Sequence, residues 1–253
     1  MLYNYHTHTA RCRHASGTDR EYVESAIKAG IKTLGISDHA PYLFKNPDYY
    51  STFRMFTEEL FDYAESVRSL AKEYEKDIRL LLGFELEYYP DLYKDEIAFL
   101  SAVHPDYYIL GQHFFGNEID EAYCGGNLDK PEQLTRYVSQ ILEGLKTGDF
   151  AYVAHPDLAG YNFPAEHIQA EYLRLCEGAK ALKIPLEINL LGLLTNRRYP
   201  NKTFFEIAAK VGNDIVLGVD AHAPDHFGNT EIENKALQMV KDLGLHLIEK
   251  PFI

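Results

Sequence analysis

The chain alternates short apolar runs with longer stretches of helical pattern, and this alternation restricts its fold more than any other feature. The apolar runs contain little polar alternation, which is typical of strands buried on both faces of a parallel sheet. They cover residues 2–5, 33–36, 78–84, 107–110, 152–154, 185–188 and 214–217. Seven strands alternating with helices predict a closed or nearly closed α/β barrel, with an open doubly wound sheet as the alternative.

Helix signals lie between these strands. Thr18 or Asp19 can cap a helix that ends near Gly30, and Pro131-Glu132 suits the first turn of a helix over 131–148. Further helices are predicted over residues 57–76, 165–183, 203–211 and 230–243. No linker rich in proline, glycine or serine divides the chain, so residues 1–253 are predicted to form one domain.

Charge and composition exclude several classes of protein. The 38 acidic residues outnumber the 25 Lys and Arg, and the net charge of −13 argues against nucleic-acid binding. No apolar run approaches the roughly 18 residues of a membrane span, and the first residues lack a secretory signal. Cys12, Cys124 and Cys176 are too few and too far apart for a disulfide framework, so the cytoplasm is the predicted location. The oligomeric state stays open.

Metal-capable side chains follow six of the seven predicted strands. They are His6, His8 and His14, then Asp38 and His39, then Glu85, His113 and His155, and finally Asp220 and His222. The carboxyl ends of barrel strands meet around one mouth, so these distant residues are predicted to converge. Eleven histidines spread at random would seldom cluster there, so the pattern indicates a metal or catalytic site. By the same rule His104, which precedes a strand, is predicted to lie at the opposite end.

These residues, in this order, resemble the PHP (polymerase and histidinol phosphatase) family of metal-dependent phosphoesterases, from His6 to about Gly228. The resemblance implies a distorted, TIM-like (β/α)7 barrel with a trinuclear metal centre. One metal would be held by His6, His8, Glu85 and Asp220, a second by Glu85, His113 and His155, and a third by His14, His39 and His222. Imidazoles with two carboxylates suit two or three ions of zinc, iron or manganese.

Two stretches, Ser37-Asp38-His39-Ala40-Pro41 and Gly83-Phe84-Glu85-Leu86-Glu87-Tyr88, resemble histidinol-phosphate phosphatases in particular. Two others, around Gln112 and over 187–192, depart from that pattern. Hydrolysis of L-histidinol phosphate in histidine biosynthesis is therefore the predicted activity. Another small phosphoester or phosphotyrosine is the alternative substrate.

The expected mechanism is attack on phosphorus by a hydroxide that bridges two metals. The predicted catalytic residues are Glu85, Asp38 and Asp220, with Asp38 or a metal-bound water as proton donor. Divalent ions would reverse the negative field of the carboxylates and so attract a phosphate dianion. The predicted substrate-binding residues are Arg197 and Arg198 as a phosphate clamp, Arg11 and Arg13 as further candidates, and Glu87 and Asn189 for the ammonium and imidazole.

Two other functional classes are alternatives. Amidohydrolase barrels also begin with His-x-His, but they require an eighth strand and a lysine after strand four, where this chain has His113. A non-catalytic, metal-binding regulatory module is the second alternative. The arginine-lined loop beyond strand six argues against it, because structural metal sites are usually closed.

Overall fold

Eight parallel strands pair in sequence order to form one sheet in the computed structural model, which describes residues 1–46, 48–119, 122–162, 165–250 and 252–253. Each strand pairs with the next one in the chain, as expected when helical crossovers join neighbouring strands. The strands are β1 (Tyr3–Asn4), β2 (Thr33–Ile36), β3 (Arg79–Leu86), β4 (Tyr107–Leu110), β5 (Phe150–Val153), β6 (Leu186–Asn189), β7 (Asp214–Gly218) and β8 (His246–Leu247).

The predicted count of seven strands is wrong, because β8 pairs with the start of β7. This strand has two residues and begins with an exposed histidine, so it gives no apolar signal in the sequence. Beyond the other end of β7, Ala221 forms a parallel bridge with Thr7, and the amide of His8 donates to Ala221 O over 2.9 Å. The segments that follow the first and seventh strands therefore meet at the carboxyl-end mouth of the sheet.

The helices are α1 (Asp19–Lys28), α2 (Leu60–Glu73), α3 (Tyr93–Leu100), α4 (Pro131–Leu145), α5 (Ala165–Ala181), α6 (Leu190–Leu194), α7 (Lys202–Val211) and α8 (Thr230–Leu243). The sequence did not predict α3, whose first residue lacks a side-chain cap, or the one-turn α6. Among the described residues, no helix has the length and apolar character needed to cross a bilayer.

Two hydrophobic layers hold the strands and position the mouth. The larger one packs the strands against the helices, and the smaller one contains Tyr5, Tyr107, Tyr152 and Val216 together with the C-terminal Phe252. A Cβ atom at Gly83 would lie 2.4 Å from the Tyr107 ring, so this strand position admits no side chain. Each buried large apolar side chain contributes about 1.5–3 kcal/mol.

The buried Glu96 on α3 makes stability depend on pH. Burial raises the pKa of Glu96 to about 8, while its Oε2 accepts a hydrogen bond from the Leu43 amide over 3.0 Å. The folded chain therefore holds a proton that the unfolded chain releases, so stability should fall as pH rises from about 4.5 to about 8.

Glu96→Gln keeps an acceptor for the Leu43 amide and removes the ionisable group. Between pH 5 and pH 8, we expect wild type to lose on the order of 3 kcal/mol of unfolding free energy relative to this variant. Urea unfolding at several pH values measures the difference. If the unfolding free energies of the two proteins changed equally with pH, Glu96 would not be the group that makes stability depend on pH.

Candidate metal centre

The nine predicted ligands lie together at the carboxyl-end mouth. Eight of them line a cavity of about 360 Å³, and His6 lies deeper, against Glu85 and Asp220. The convergence predicted from strand order is therefore present in the structure. His104, by contrast, lies at the start of β4 and is exposed, as predicted.

Glu85 stands between two groups of imidazoles. Its Oε2 lies 3.6 Å from His6 Nε2, 3.5 Å from His8 Nε2 and 3.0 Å from His39 Nδ1, whereas its Oε1 lies 3.6 Å from His113 Nε2 and 2.8 Å from His155 Nε2. Asp220 Oδ1 adds to the first group, at 3.4 Å from His6 Nε2 and 3.0 Å from His8 Nε2. The two oxygens of one carboxylate thus serve separate ligand sets, the arrangement of a bridging ligand.

A third set lies at the outer edge of the mouth. His14, His39 and His222 bring ligand atoms within 4.8 Å of one another, and the Nε2 atoms of His14 and His222 are 2.9 Å apart. These are the three residues that the family resemblance assigns to a third metal.

The ligand atoms fit divalent cations because they lack other partners. The buried atoms without a hydrogen-bond partner in the described structure include His6 Nε2, His8 Nε2, His39 Nδ1, both Glu85 oxygens and Asp220 Oδ1. An unsatisfied buried polar atom costs about 1–3 kcal/mol, so their concentration at one point requires an explanation. Ions such as zinc, iron or manganese would satisfy this mixture of nitrogen and oxygen donors.

Strong coupling between acids and imidazoles shifts their pKa values. Burial lowers the pKa of His8, but the adjacent Asp220 and Asp38 carboxylates outweigh burial and raise it to about 9. Burial raises the pKa of Glu85, but His39, His113 and His6 outweigh burial and hold it well below its usual range. Metal binding must displace the protons that these imidazoles hold, so metal affinity should weaken in acid.

Three further carboxylates contact the Nδ1 atoms of predicted ligand imidazoles. His6 Nδ1 lies 2.8 Å from Glu187 Oε1, His8 Nδ1 lies 3.4 Å from Asp38 Oδ1, and His113 Nδ1 lies 2.9 Å from Glu87 Oε1. Such partners fix the ring orientation and leave Nε2 available for a metal. Glu187 was not among the residues predicted for the site, although a single acid inside the buried strand Leu186–Asn189 was a usable signal.

Two of the predicted ligands adopt strained backbone conformations. His155 has φ +28° and Asp220 has φ +53°, values that are uncommon for residues other than glycine. Strain of this kind persists where the surrounding structure fixes the residue, and it clusters at functional sites.

The structure places one predicted catalytic residue, Asp38, and two predicted substrate-binding residues, Glu87 and Asn189, outside the set that lines the cavity. The oxygens of Asp38 accept hydrogen bonds from Thr9 and from the His39 amide. Glu87 is buried between Arg54 and His113. Asn189 donates to Glu187 and Asp220 and accepts from the Gly192 amide, so its polar atoms are used within the protein.

Of the four predicted arginines, Arg197 alone lines the mouth cavity. Arg198 donates to Asn127, Arg11 pairs with Asp19 and Asp62, and Arg13 pairs with Glu59. The aromatic residues that line the cavity were not predicted either; they are Phe53, Phe114, Tyr123 and Tyr199. These residues come from the segments after β2, β4 and β6, and no spacing in the sequence relates them.

Comparisons with known proteins identify a family and several related proteins. The family model described as PHP domain matches residues 4–190. A Deinococcus radiodurans protein named as a probable histidinol-phosphatase is 27% identical, over 96% of this chain and 94% of that protein. The histidinol phosphate phosphatase of Lactococcus lactis, solved with zinc, L-histidinol and phosphate, has a TM-score of 0.75 at 18% identity over 98% of this chain and 95% of that one.

A structure of the metal-dependent tyrosine phosphatases of Bacillus subtilis and Streptococcus pneumoniae is also similar. It has a TM-score of 0.55 at 16% identity and covers 99% of this chain and 98% of that one. At this level of identity, both solved structures establish a shared fold.

Proposed function

Because this chain belongs to the PHP domain family, we propose that it is a metal-dependent phosphomonoesterase that hydrolyses L-histidinol phosphate to L-histidinol and phosphate. The observation that carries the proposal is the division of the Glu85 oxygens between two imidazole groups. Support for the substrate comes from the Deinococcus radiodurans relative, which matches nearly the whole chain. Two or three ions of zinc, iron or manganese and a cytoplasmic location belong to the same proposal.

When bound, the divalent ions would lower the pKa of water and stabilise negative charge on the phosphoryl group. His6, His8 and Asp220 would hold one ion, and His113 and His155 another, with Glu85 shared between them. His14, His39 and His222 would hold a third. Three carboxylates would orient imidazoles through Nδ1, namely Glu187, Asp38 and Glu87. We propose this orienting role for Asp38 in place of the predicted role as proton donor.

Arg197 is the proposed phosphate contact because it lines the cavity with the metal ligands. Its Nη1 donates to Tyr199 Oη over 2.7 Å, which directs the guanidinium along the cavity wall. A guanidinium presents several donors at once, so it matches phosphate oxygens better than an ammonium does.

Arg197→Lys should lower kcat/KM by about 10- to 100-fold, the loss expected for one charge-assisted bidentate contact. Arg198→Lys is the matched control, since Arg198 contacts Asn127 outside the cavity, and it should behave like wild type. Steady-state kinetics on both variants tests the assignment. Equal losses in the two variants would show that Arg197 has no special contact with phosphate.

The substrate is tested with zinc- or manganese-loaded protein against L-histidinol phosphate, phosphotyrosine and a panel of small phosphomonoesters. We expect the highest kcat/KM with L-histidinol phosphate, and chelation should abolish turnover. A preference for phosphotyrosine would replace the substrate while preserving the phosphatase assignment. If no ester is hydrolysed over a broad pH range, the protein is a metal-binding module and the enzyme proposal fails.

The amidohydrolase alternative loses one of the two arguments against it, because an eighth strand is present. The residue after β4 still argues against an amidohydrolase, because the chain has His113 where that class requires a bridging lysine. His113 faces Glu85 Oε1 at 3.6 Å, within the ligand set. The phosphatase is therefore preferred over the amidohydrolase because of the ligand residues, and the number of strands does not distinguish the two.

A further inference from the structure

We propose that Arg54 is a positioning residue that joins the metal ligand His113 to the aromatic side of the substrate cavity. Arg54 lies between β2 and β3, and it contacts Glu87, just after β3, and Glu118, beyond β4. The arginine is only 1% exposed, although a buried guanidinium is costly unless its donors are satisfied. The kinetic measurements that test this role rest on the proposed function, whereas the measurements of zinc retention do not.

One end of the connection is the metal centre. Arg54 Nη1 and Nη2 donate to the two oxygens of Glu87, over 3.1 and 3.0 Å. Glu87 Oε1 is also 2.9 Å from His113 Nδ1, so the arginine fixes the carboxylate that orients this ligand. A fork with two parallel hydrogen bonds restricts the position of Glu87 in a way that a single contact would not.

The other end is the loop after β4. Arg54 Nε donates to Glu118 Oε2 over 2.8 Å, and Glu118 Oε1 accepts from Tyr49 Oη over 3.0 Å. Arg54 Nη1 also donates to Ala40 O over 2.8 Å. The Arg54 side chain therefore connects the loops after β2 and β4 to Glu87 at the end of β3.

These two loops supply facing rings of the cavity. Phe53 stacks on Phe114 with centroids 5.3 Å apart, and its edge meets His39 at 5.5 Å. The guanidinium carbon of Arg54 lies 4.5 Å from the Phe53 ring centroid, within cation–π range. Movement of Arg54 would consequently disturb both the orientation of His113 and the wall formed by Phe53 and Phe114.

Buried ion clusters are weak sources of stability, since apolar replacements of similar size are often neutral or better. Here Arg54 lies between two carboxylates, one of which directly orients a metal ligand. The geometry therefore points to positioning of the site as its role.

The test compares Arg54→Lys, Glu87→Gln, the double variant and Arg174→Lys. The last is a control for the loss of a guanidinium, because Arg174 on α5 is a partly exposed arginine that pairs with Glu171 and contacts Thr135 and Ser139 on α4. Each protein is loaded with zinc, and the zinc that resists a competing chelator is measured. We expect Arg54→Lys to weaken zinc retention by about tenfold or more, as for other partners of metal ligands, and Arg174→Lys to match wild type.

If Arg54 acts through Glu87, the double variant should release zinc no more readily than the weaker-binding single variant. A folded Arg54→Lys protein with wild-type zinc retention, or additive losses in the double variant, would overturn the inference. If wild type hydrolyses no histidinol phosphate, the proposed function fails while zinc retention still reports on Arg54.

Glu118→Gln keeps the inference testable even if Arg54→Lys does not fold, because it removes a negative charge and leaves Arg54 paired with Glu87. We expect this variant to retain zinc while its KM for L-histidinol phosphate rises. Glu87→Gln is expected to lose zinc. The reverse pattern, with zinc lost from Glu118→Gln and kept by Glu87→Gln, would contradict the proposed connection.

Discussion

Glu85→Gln is expected to lower kcat by about a thousandfold and to remove at least one metal ion. The glutamine side chain has one oxygen, which can serve one of the two ligand sets. The other set would face the NH₂ group, which cannot bind a cation. Because the two Glu85 oxygens serve separate sets, no orientation of glutamine satisfies both. A bound metal supplies several kcal/mol of charge stabilisation, and about 4 kcal/mol corresponds to a thousandfold in rate.

The experiment measures kcat with the preferred phosphoester and metal content by elemental analysis. Glu96→Gln provides the control, since Glu96 is also wholly buried but contacts the Leu43 amide outside the ligand set. It should keep wild-type metal content and rate. A Glu85→Gln protein that retained full metal and wild-type kcat would refute the bridging role.

Gly218→Ala is expected to disrupt the metal centre without changing any ligand. A Cβ atom there would lie 1.7 Å from Glu187 Oε1. The buried Glu187 has little room to move, because His6 Nδ1 holds Oε1 and the His155 amide holds Oε2. Displacement would misorient His6, so we expect about 10- to 100-fold weaker metal retention and activity and a stability loss of about 1–3 kcal/mol.

Chelator competition and thermal unfolding measure these two effects. Gly126→Ala is a matched control, because its Cβ would lie no closer than 3.4 Å to any atom, an ordinary contact. Adding Glu187→Asp to Gly218→Ala shortens the carboxylate and should restore part of the lost metal retention. If Gly218→Ala binds metal as wild type does, Glu187 is not needed to orient His6.

Much of the site could be predicted from the sequence, because strand order alone determines which residues reach the mouth. His6, Glu85, His155 and Asp220 are far apart in the chain, yet each follows an apolar run that is a strand. The apolar pattern identified seven strands and missed β8, whose two residues bury too little surface to leave a signal.

The directions of the arginine side chains could not be predicted from the sequence. Arg11, Arg13, Arg197 and Arg198 all lie in loops near the predicted ligands, but a long side chain can point in several directions. Nearby acids hold Arg11 and Arg13 elsewhere, and Arg197 faces the cavity. Loop position therefore could not distinguish a phosphate contact from a surface ion pair.

The sequence by itself determined the α/β architecture, the mouth at which the ligands meet and the chemical class of those ligands, because strand periodicity and the direction of parallel strands are local properties. Only the tertiary structure decided which carboxylate lies among the imidazole Nε2 atoms of the cavity and which carboxylates contact an imidazole at Nδ1. Glu85, Glu87 and Glu187 are all buried acids in or next to strands, and their roles differ through atoms brought to them from elsewhere in the chain. Side-chain direction and the partners of buried charges depend on packing between distant segments, which no local pattern records.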